Sequence, residues 1–138
     1  MRLHKNAKVD LLRRVPLFSG LSRRDLERLG SIADELDLPA GRTLIKEGTR
    51  GREFFALAEG EATVAKDGRR VATMREGDFF GEIALVTDVP RTTTVTAKTP
   101  VRLLVLTKRD FQRVLRDQPE IQRKVLETLA LRLAPETL

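Results

Sequence analysis

The sequence predicts a mainly β fold with flanking α-helices: an antiparallel, jelly-roll-like β-barrel with helices at its N- and C-terminal ends. Three observations predict it. Helical periodicity is confined to the two ends of the 138-residue chain. Seven of the nine glycines fall between Gly41 and Gly81, where they punctuate short runs of strand-forming residues. Asp67-Gly68 separates two such runs and is a strong signal for a two-residue hairpin loop, whose central residues need positive φ.

In chain order, a short helix is expected over 9–14, and Pro16 and Gly20 break the chain after it. Ser22-Arg-Arg-Asp25 has the form of a capping box. It opens a helix with Leu26, Leu29, Ile32, Ala33 and Leu36 at helical spacing. Strand-type runs follow at 43–46, 54–58, 62–66, 70–74, 92–97 and 101–106. Thr107-Lys-Arg-Asp110 is a second capping box, leading into Phe111, Val114 and Leu115 on one helical face. Pro119 suits the first turn of a last helix, along which Ile121, Val125, Leu129 and Leu133 recur every four residues. The chain thus reads as one domain, 1–138: helices over about 8–36, a barrel over about 37–106 and closing helices over about 107–133.

Composition removes several function classes. There is no cysteine, hence no disulfide, thiolate nucleophile or cysteine-zinc site. The single histidine, His4, cannot by itself build a metal site or a triad, so no catalytic residue and no metal are assigned. No apolar stretch approaches the ~18 residues that span a bilayer and no hydrophobic leader opens the chain; a cytoplasmic protein without membrane insertion is expected. The net charge of +6 divides into +5 over residues 1–30, −1 over 31–106 and +2 over 107–138. The excess therefore lies on the flanking helices, where solvated faces account for it. Tryptophan and tyrosine are absent, so aromatic platforms for bases are lacking. No direct nucleic-acid binding is expected, since no helix-turn-helix follows the last helix.

One segment interrupts the strand texture, Gly77-Asp-Phe-Phe-Gly81-Glu82-Ile83-Ala84-Leu85, continuing to Pro90-Arg91-Thr92-Thr93. Residues 82–86 can form one helical turn opened by Gly81. A helix N-terminus presents unpaired N–H groups to an anion, and a glycine lets backbone approach a ligand closely. Arg91 offers paired planar donors to phosphate oxygens, and the Thr92 and Thr93 hydroxyls add donors. Glu82 repels phosphate and needs another partner, which a sugar hydroxyl or Arg91 itself would supply. Taken without its surroundings, Arg91 reads as a surface arginine paired with Asp88 or Glu82. Val64, Val71 and Ala72 read equally well as plain core.

Gly81-Glu-Ile-Ala-Leu85 followed by Pro90-Arg-Thr-Thr93 resembles the phosphate-binding cassette of the cyclic-nucleotide-binding domain family, here at residues 81–93. That family includes the sensor domains of catabolite-activator-type bacterial regulators, of kinase regulatory subunits and of gated channels. The resemblance runs from about Leu17 to Leu133. Phe18 and Leu21, Glu47-Gly48, Gly51, Phe54-Phe55, Gly60, Gly68 and Gly77-Asp78 fall where the family places its apolar opening and its barrel-turn glycines.

The resemblance implies a non-catalytic sensor of cyclic AMP, with cyclic GMP also accepted, that signals to an effector domain or protein. Such a module is also found as the sensor half of a transcription regulator; a degenerate domain used for protein contacts alone would lack Glu82 and Arg91. By the same resemblance Arg91 pairs with the cyclic phosphate, and Glu82 accepts from the ribose 2′-hydroxyl. Gly81 and the amides of Ile83 and Ala84 line the anion. Val64, Val71 and Ala72 flank the base, with Leu126, Leu129 and Arg132 as lid candidates. A hydroxyl at Thr92 implies tolerance of cyclic GMP.

Overall fold

A computed structural model describes residues 3–137, with side chains described through Leu131. The chain runs α1 (Lys5–Arg13), a first 3-10 turn (Pro16–Phe18), α2 (Arg23–Ile32), β1 (Asp34–Leu38), β2 (Thr43–Ile45), β3 (Glu53–Glu59), β4 (Ala62–Lys66), β5 (Arg69–Met74), β6 (Phe79–Phe80), a second 3-10 turn (Glu82–Leu85), β7 (Thr94–Ala97), β8 (Val101–Thr107), α3 (Lys108–Asp117) and α4 (Pro119–Thr137). Two four-stranded sheets, ordered β1-β8-β3-β6 and β2-β7-β4-β5, are antiparallel throughout. This is the jelly-roll-like β architecture with helices at both ends. Among the described residues no helix is long and apolar enough to cross a membrane.

Local chemistry places the element ends. The Ser22 hydroxyl accepts from the Asp25 N–H at 3.2 Å, and the Asp25 carboxylate accepts from the Ser22 N–H at 3.0 Å. Together they satisfy two donors that the first turn of a helix leaves free. Thr107 caps α3 through the Asp110 N–H at 3.1 Å. Asp67 (φ 52°) and Gly68 (φ 78°) turn β4 into β5, the type I′ geometry expected of that dipeptide.

The apolar runs of β3 and β8 show why these strands are central. Alternate residues of a strand point to opposite faces. Phe54 and Ala56 of β3, with Leu104 and Leu106 of β8, face a core shared with the helices, which holds Leu12, Phe18, Leu26, Leu29, Phe111 and Ile121. Phe55 and Leu57, with Leu103 and Val105, face the space between the sheets. Phe18 stands edge-on to Phe54 at 5.9 Å and packs on Phe111 at 5.7 Å, an arrangement favoured by the ring quadrupoles.

Three expectations are corrected here. The second helix stops at Ile32, and 34–38 is strand β1, paired along β8. Leu36 matched the helical spacing but is 40% exposed; pairing with a distant strand overrides a local pattern. Phe79–Phe80, which lay in the segment expected to interrupt the strand texture, pairs with Phe55 and Ala56 as strand β6. The strand expected over 92–97 begins at Thr94, which leaves Thr92 and Thr93 in the loop that carries the site.

Candidate functional site

The site is built where β6 ends. Gly81 adopts φ 84°, the left-handed region that glycine occupies without penalty. A side chain there would also meet a wall: a Cβ would lie 2.7 Å from the Glu53 carbonyl oxygen and 2.7 Å from Arg91 Nη1. The chain then makes the 82–85 turn, closed by Ala84 N–H to Gly81 O at 3.1 Å and Val86 N–H to Ile83 O at 3.1 Å. Ala84 and Leu85 are buried under the turn and anchor it, while Ile83 is exposed. From the other side Lys108, at the start of α3, donates to Thr87 O at 3.1 Å and pairs with Asp88 at 2.5 Å. That ammonium holds the Asp88 carboxyl below the usual carboxylate range.

Arg91 is held at both backbone and side chain. Its N–H donates to Thr49 O at 2.8 Å, and its carbonyl accepts from the Gly48 N–H at 2.9 Å. The side chain is 7% exposed. Nη2 donates to the Glu53 carbonyl at 2.7 Å and lies 3.8 Å from the Glu53 carboxylate. Burial lowers the affinity of this guanidinium for its proton, and Glu53 partly offsets that; an arginine stays charged at neutral pH even so. A guanidinium carries five N–H donors, and the Glu53 carbonyl takes the only hydrogen bond that Arg91's side chain makes among the described residues. No buried side-chain nitrogen or oxygen there lacks a partner. The remaining donors are therefore not fully buried, and Arg91 lines a cleft.

That cleft has a volume of about 360 Å³. It is lined by residues 81–84 and 89–93 together with Ile45, Phe79 and Phe80. It gathers Gly81, Glu82, Ile83, Ala84, Arg91, Thr92 and Thr93 into one concave site. Two details differ from expectation. The Ala84 amide is engaged with Gly81 O; the amides of Glu82 and Ile83 are the ones with no acceptor among the described residues. Arg91 pairs with neither Asp88 nor Glu82. Asp88 belongs to Lys108, and Glu82 Oε2 accepts from the Leu17 N–H in the first 3-10 turn at 3.2 Å. A carboxylate accepts several bonds, so that contact leaves Glu82 capacity for a hydroxyl.

The base-wall residues and the lid lie elsewhere. Val64 pairs with Ala72 and with Val95, so these three share a face. Val71 is 59% exposed. None of Val64, Val71 and Ala72 lines the cleft. On α4, Ile121 and Val125 are buried in the helical core and Leu129 packs against it. Leu126 is 60% exposed, and the Arg132 side chain lies outside the described residues. Neither Leu126 nor Leu129 lines the cleft. The residues that sequence reasoning missed are Glu53, which holds Arg91 from 38 positions away, and Ile45, Phe79 and Phe80 of the cleft. The Phe-Phe pair before Gly81 was the available signal for the last group.

Comparison with known proteins agrees with this geometry. The cyclic nucleotide-binding domain family matches residues 35–118. The cAMP-dependent protein kinase regulatory subunit of Yarrowia lipolytica is 41% identical over 106 residues, covering 75% of this chain and 28% of that protein. The chain thus spans about a quarter of the length of the curated relatives it matches. The N-terminal domain of a transcriptional regulator from Streptomyces coelicolor superposes with a TM-score of 0.82 at 34% identity, covering 91% of this chain and 94% of that one. A cAMP-bound PfPKA-R chain superposes at 0.68 with 27% identity, covering 97% of this chain and 48% of that one. With a match running from β1 through α3, this chain belongs to the cyclic nucleotide-binding domain family.

Proposed function

We propose that this chain is a non-catalytic module that binds cyclic AMP, accepts cyclic GMP more weakly, and passes the signal to an effector domain or protein. The observation that carries the reading is Arg91: a buried cation with unused donors that lines a cleft together with Glu82 and Ile83, whose amides have no acceptor among the described residues. A monoanionic cyclic phosphate supplies the acceptors those groups lack. Glu82, on the same rim, takes the ribose 2′-hydroxyl. Beyond the cleft, the face shared by Val64 and Ala72 is offered to the base, and Leu126, exposed on α4, covers it only if that helix moves on binding. Thr92, exposed beside Arg91, places a hydroxyl where a guanine amino group can meet it.

Relatives named as regulatory subunits support a sensing role with a kinase as effector. The likeness to the N-terminal domain of a transcriptional regulator favours a second reading, in which the effector is a DNA-binding domain. Thermal unfolding with cyclic AMP, cyclic GMP and linear AMP tests the common core of both. A ligand present at 100 times its Kd stabilises the folded state by about 2.7 kcal/mol. The expected order of stabilisation is cyclic AMP, then cyclic GMP, with linear AMP near zero. Equal shifts for all three, or none, would refute the assignment.

A further inference from the structure

Gly51 is set apart from the turn glycines. Its φ lies outside the left-handed region, whereas Gly41, Gly48, Gly60, Gly68, Gly77 and Gly81 all lie within it. The backbone at residue 51 would therefore tolerate a side chain. What excludes one is Arg91: a Cβ on Gly51 would overlap Nε and Cζ of the guanidinium and would lie 2.5 Å from Nη2. The opposite edge of the same guanidinium faces Gly81 through Nη1. Arg91 thus lies in a slot between two glycines, with the Glu53 carbonyl at its end.

We propose that Gly51 is a positioning residue for the anion site: the space of its missing side chain holds the Arg91 guanidinium against Glu53 with its free donors aimed into the cleft. This rests on Arg91 as the phosphate ligand. The two glycines differ in what a methyl group would displace. At Gly81 it meets the Glu53 backbone and a strained φ, so the fold suffers. At Gly51 the three nearest atoms all belong to the far end of a flexible side chain, Arg91. The chain can still fold, with Arg91 swung out of its slot. Gly51 is buried, so the displaced group has no room to return.

A double-mutant cycle tests this. Gly51→Ala, Arg91→Ala and the double variant are compared with the parent by thermal unfolding without ligand and by calorimetry with cyclic AMP. Gly51→Ala is expected to unfold cooperatively and to lose at least tenfold in cyclic AMP affinity. Its loss of Tm is expected to shrink or vanish in the Arg91→Ala background, where the slot is empty and the methyl group fits. Gly68→Ala, strained at φ 78° with nothing within 4 Å of its Cβ, serves as control and should add to Arg91→Ala without coupling. Additive Tm losses for Gly51→Ala and Arg91→Ala, or parent-like affinity for a folded Gly51→Ala, would overturn the proposal. If Arg91→Ala itself binds cyclic AMP like the parent, the functional reading fails, while the Tm coupling still reports on the slot.

Discussion

Glu82 carries two relationships at once. Its Oε2 accepts from the Leu17 N–H, 65 residues away in sequence, and its place on the cleft rim offers the carboxylate to a ribose. The two are separable by substitution. Glu82→Ala should weaken cyclic AMP about tenfold, the worth of one hydrogen bond to a charged group. It should also lower stability by about 1 kcal/mol by stranding the Leu17 N–H. Glu82→Gln keeps a neutral acceptor for both partners and should recover much of the stability but only part of the affinity. Calorimetry with cyclic AMP and its 2′-deoxy analogue checks the assignment. The Glu82→Ala loss should largely disappear for the deoxy ligand, and an equal loss for both would make Glu82 purely structural. At this scale the site was legible in part. Residues 81–84 and 91–93 stand close together in the chain, so a short motif exposes them. Gly51 and Glu53 reach Arg91 only through the fold, and no spacing rule connects them to it.

The elements meet through a few charged contacts. Lys108 ties α3 to the loop after the 82–85 turn, and Lys124 of α4 reaches Asp25 in the α2 capping box at 2.9 Å. Burial works to raise the Asp25 carboxyl, but Lys124 and the Ser22 N–H and hydroxyl outweigh it and hold it below the ordinary aspartate value. A carboxyl lowered on folding adds stability above its unfolded pKa, and that stability is lost as pH falls through the folded value. Lys124→Ala should therefore cost stability that is constant from pH 7 to pH 5 and shrinks below about pH 4. Urea unfolding at each pH measures it, and a cost independent of pH down to pH 2 would mean that the pair contributes nothing. The Ser22 capping box, the Thr107 cap (without the reciprocal bond from Asp110) and the Asp67-Gly68 hairpin were readable in the sequence because their hydrogen bonds span four residues or fewer. Strand β1 was not readable, since its partner β8 lies some 65 residues on. The four-residue spacing of α4 showed a buried face, yet could not show that this face is spent on the first 3-10 turn and α3 rather than on the cleft.

Across the whole molecule, one sheet separates two cores and joins them mechanically. Phe54 faces the helices and Phe55 the barrel, while the Glu53 carbonyl next to them holds Arg91. A disturbance of β3 is thus felt at the helices, the barrel and the site together. Phe54→Ala, at a fully buried position, should cost about 3–5 kcal/mol through lost transfer energy and the cavity left behind. Denaturant unfolding checks that figure, and a loss under 1 kcal/mol would show that the helical core does not depend on this ring. The apolar runs of β3 and β8 made the barrel legible, because both of their faces had to be covered. The cleft was less so, since its walls come from β2, β6 and the 81–93 segment. The central claim is that Arg91 binds a cyclic phosphate, and calorimetric titration of cyclic AMP into the parent, Arg91→Lys and Arg91→Ala tests it most directly. Loss of the charge-assisted bond predicts a penalty of about 1.5–3 kcal/mol for Arg91→Ala, with partial recovery by Arg91→Lys, whose ammonium cannot form the planar fork. Near-parent affinity in a folded Arg91→Ala variant would contradict it.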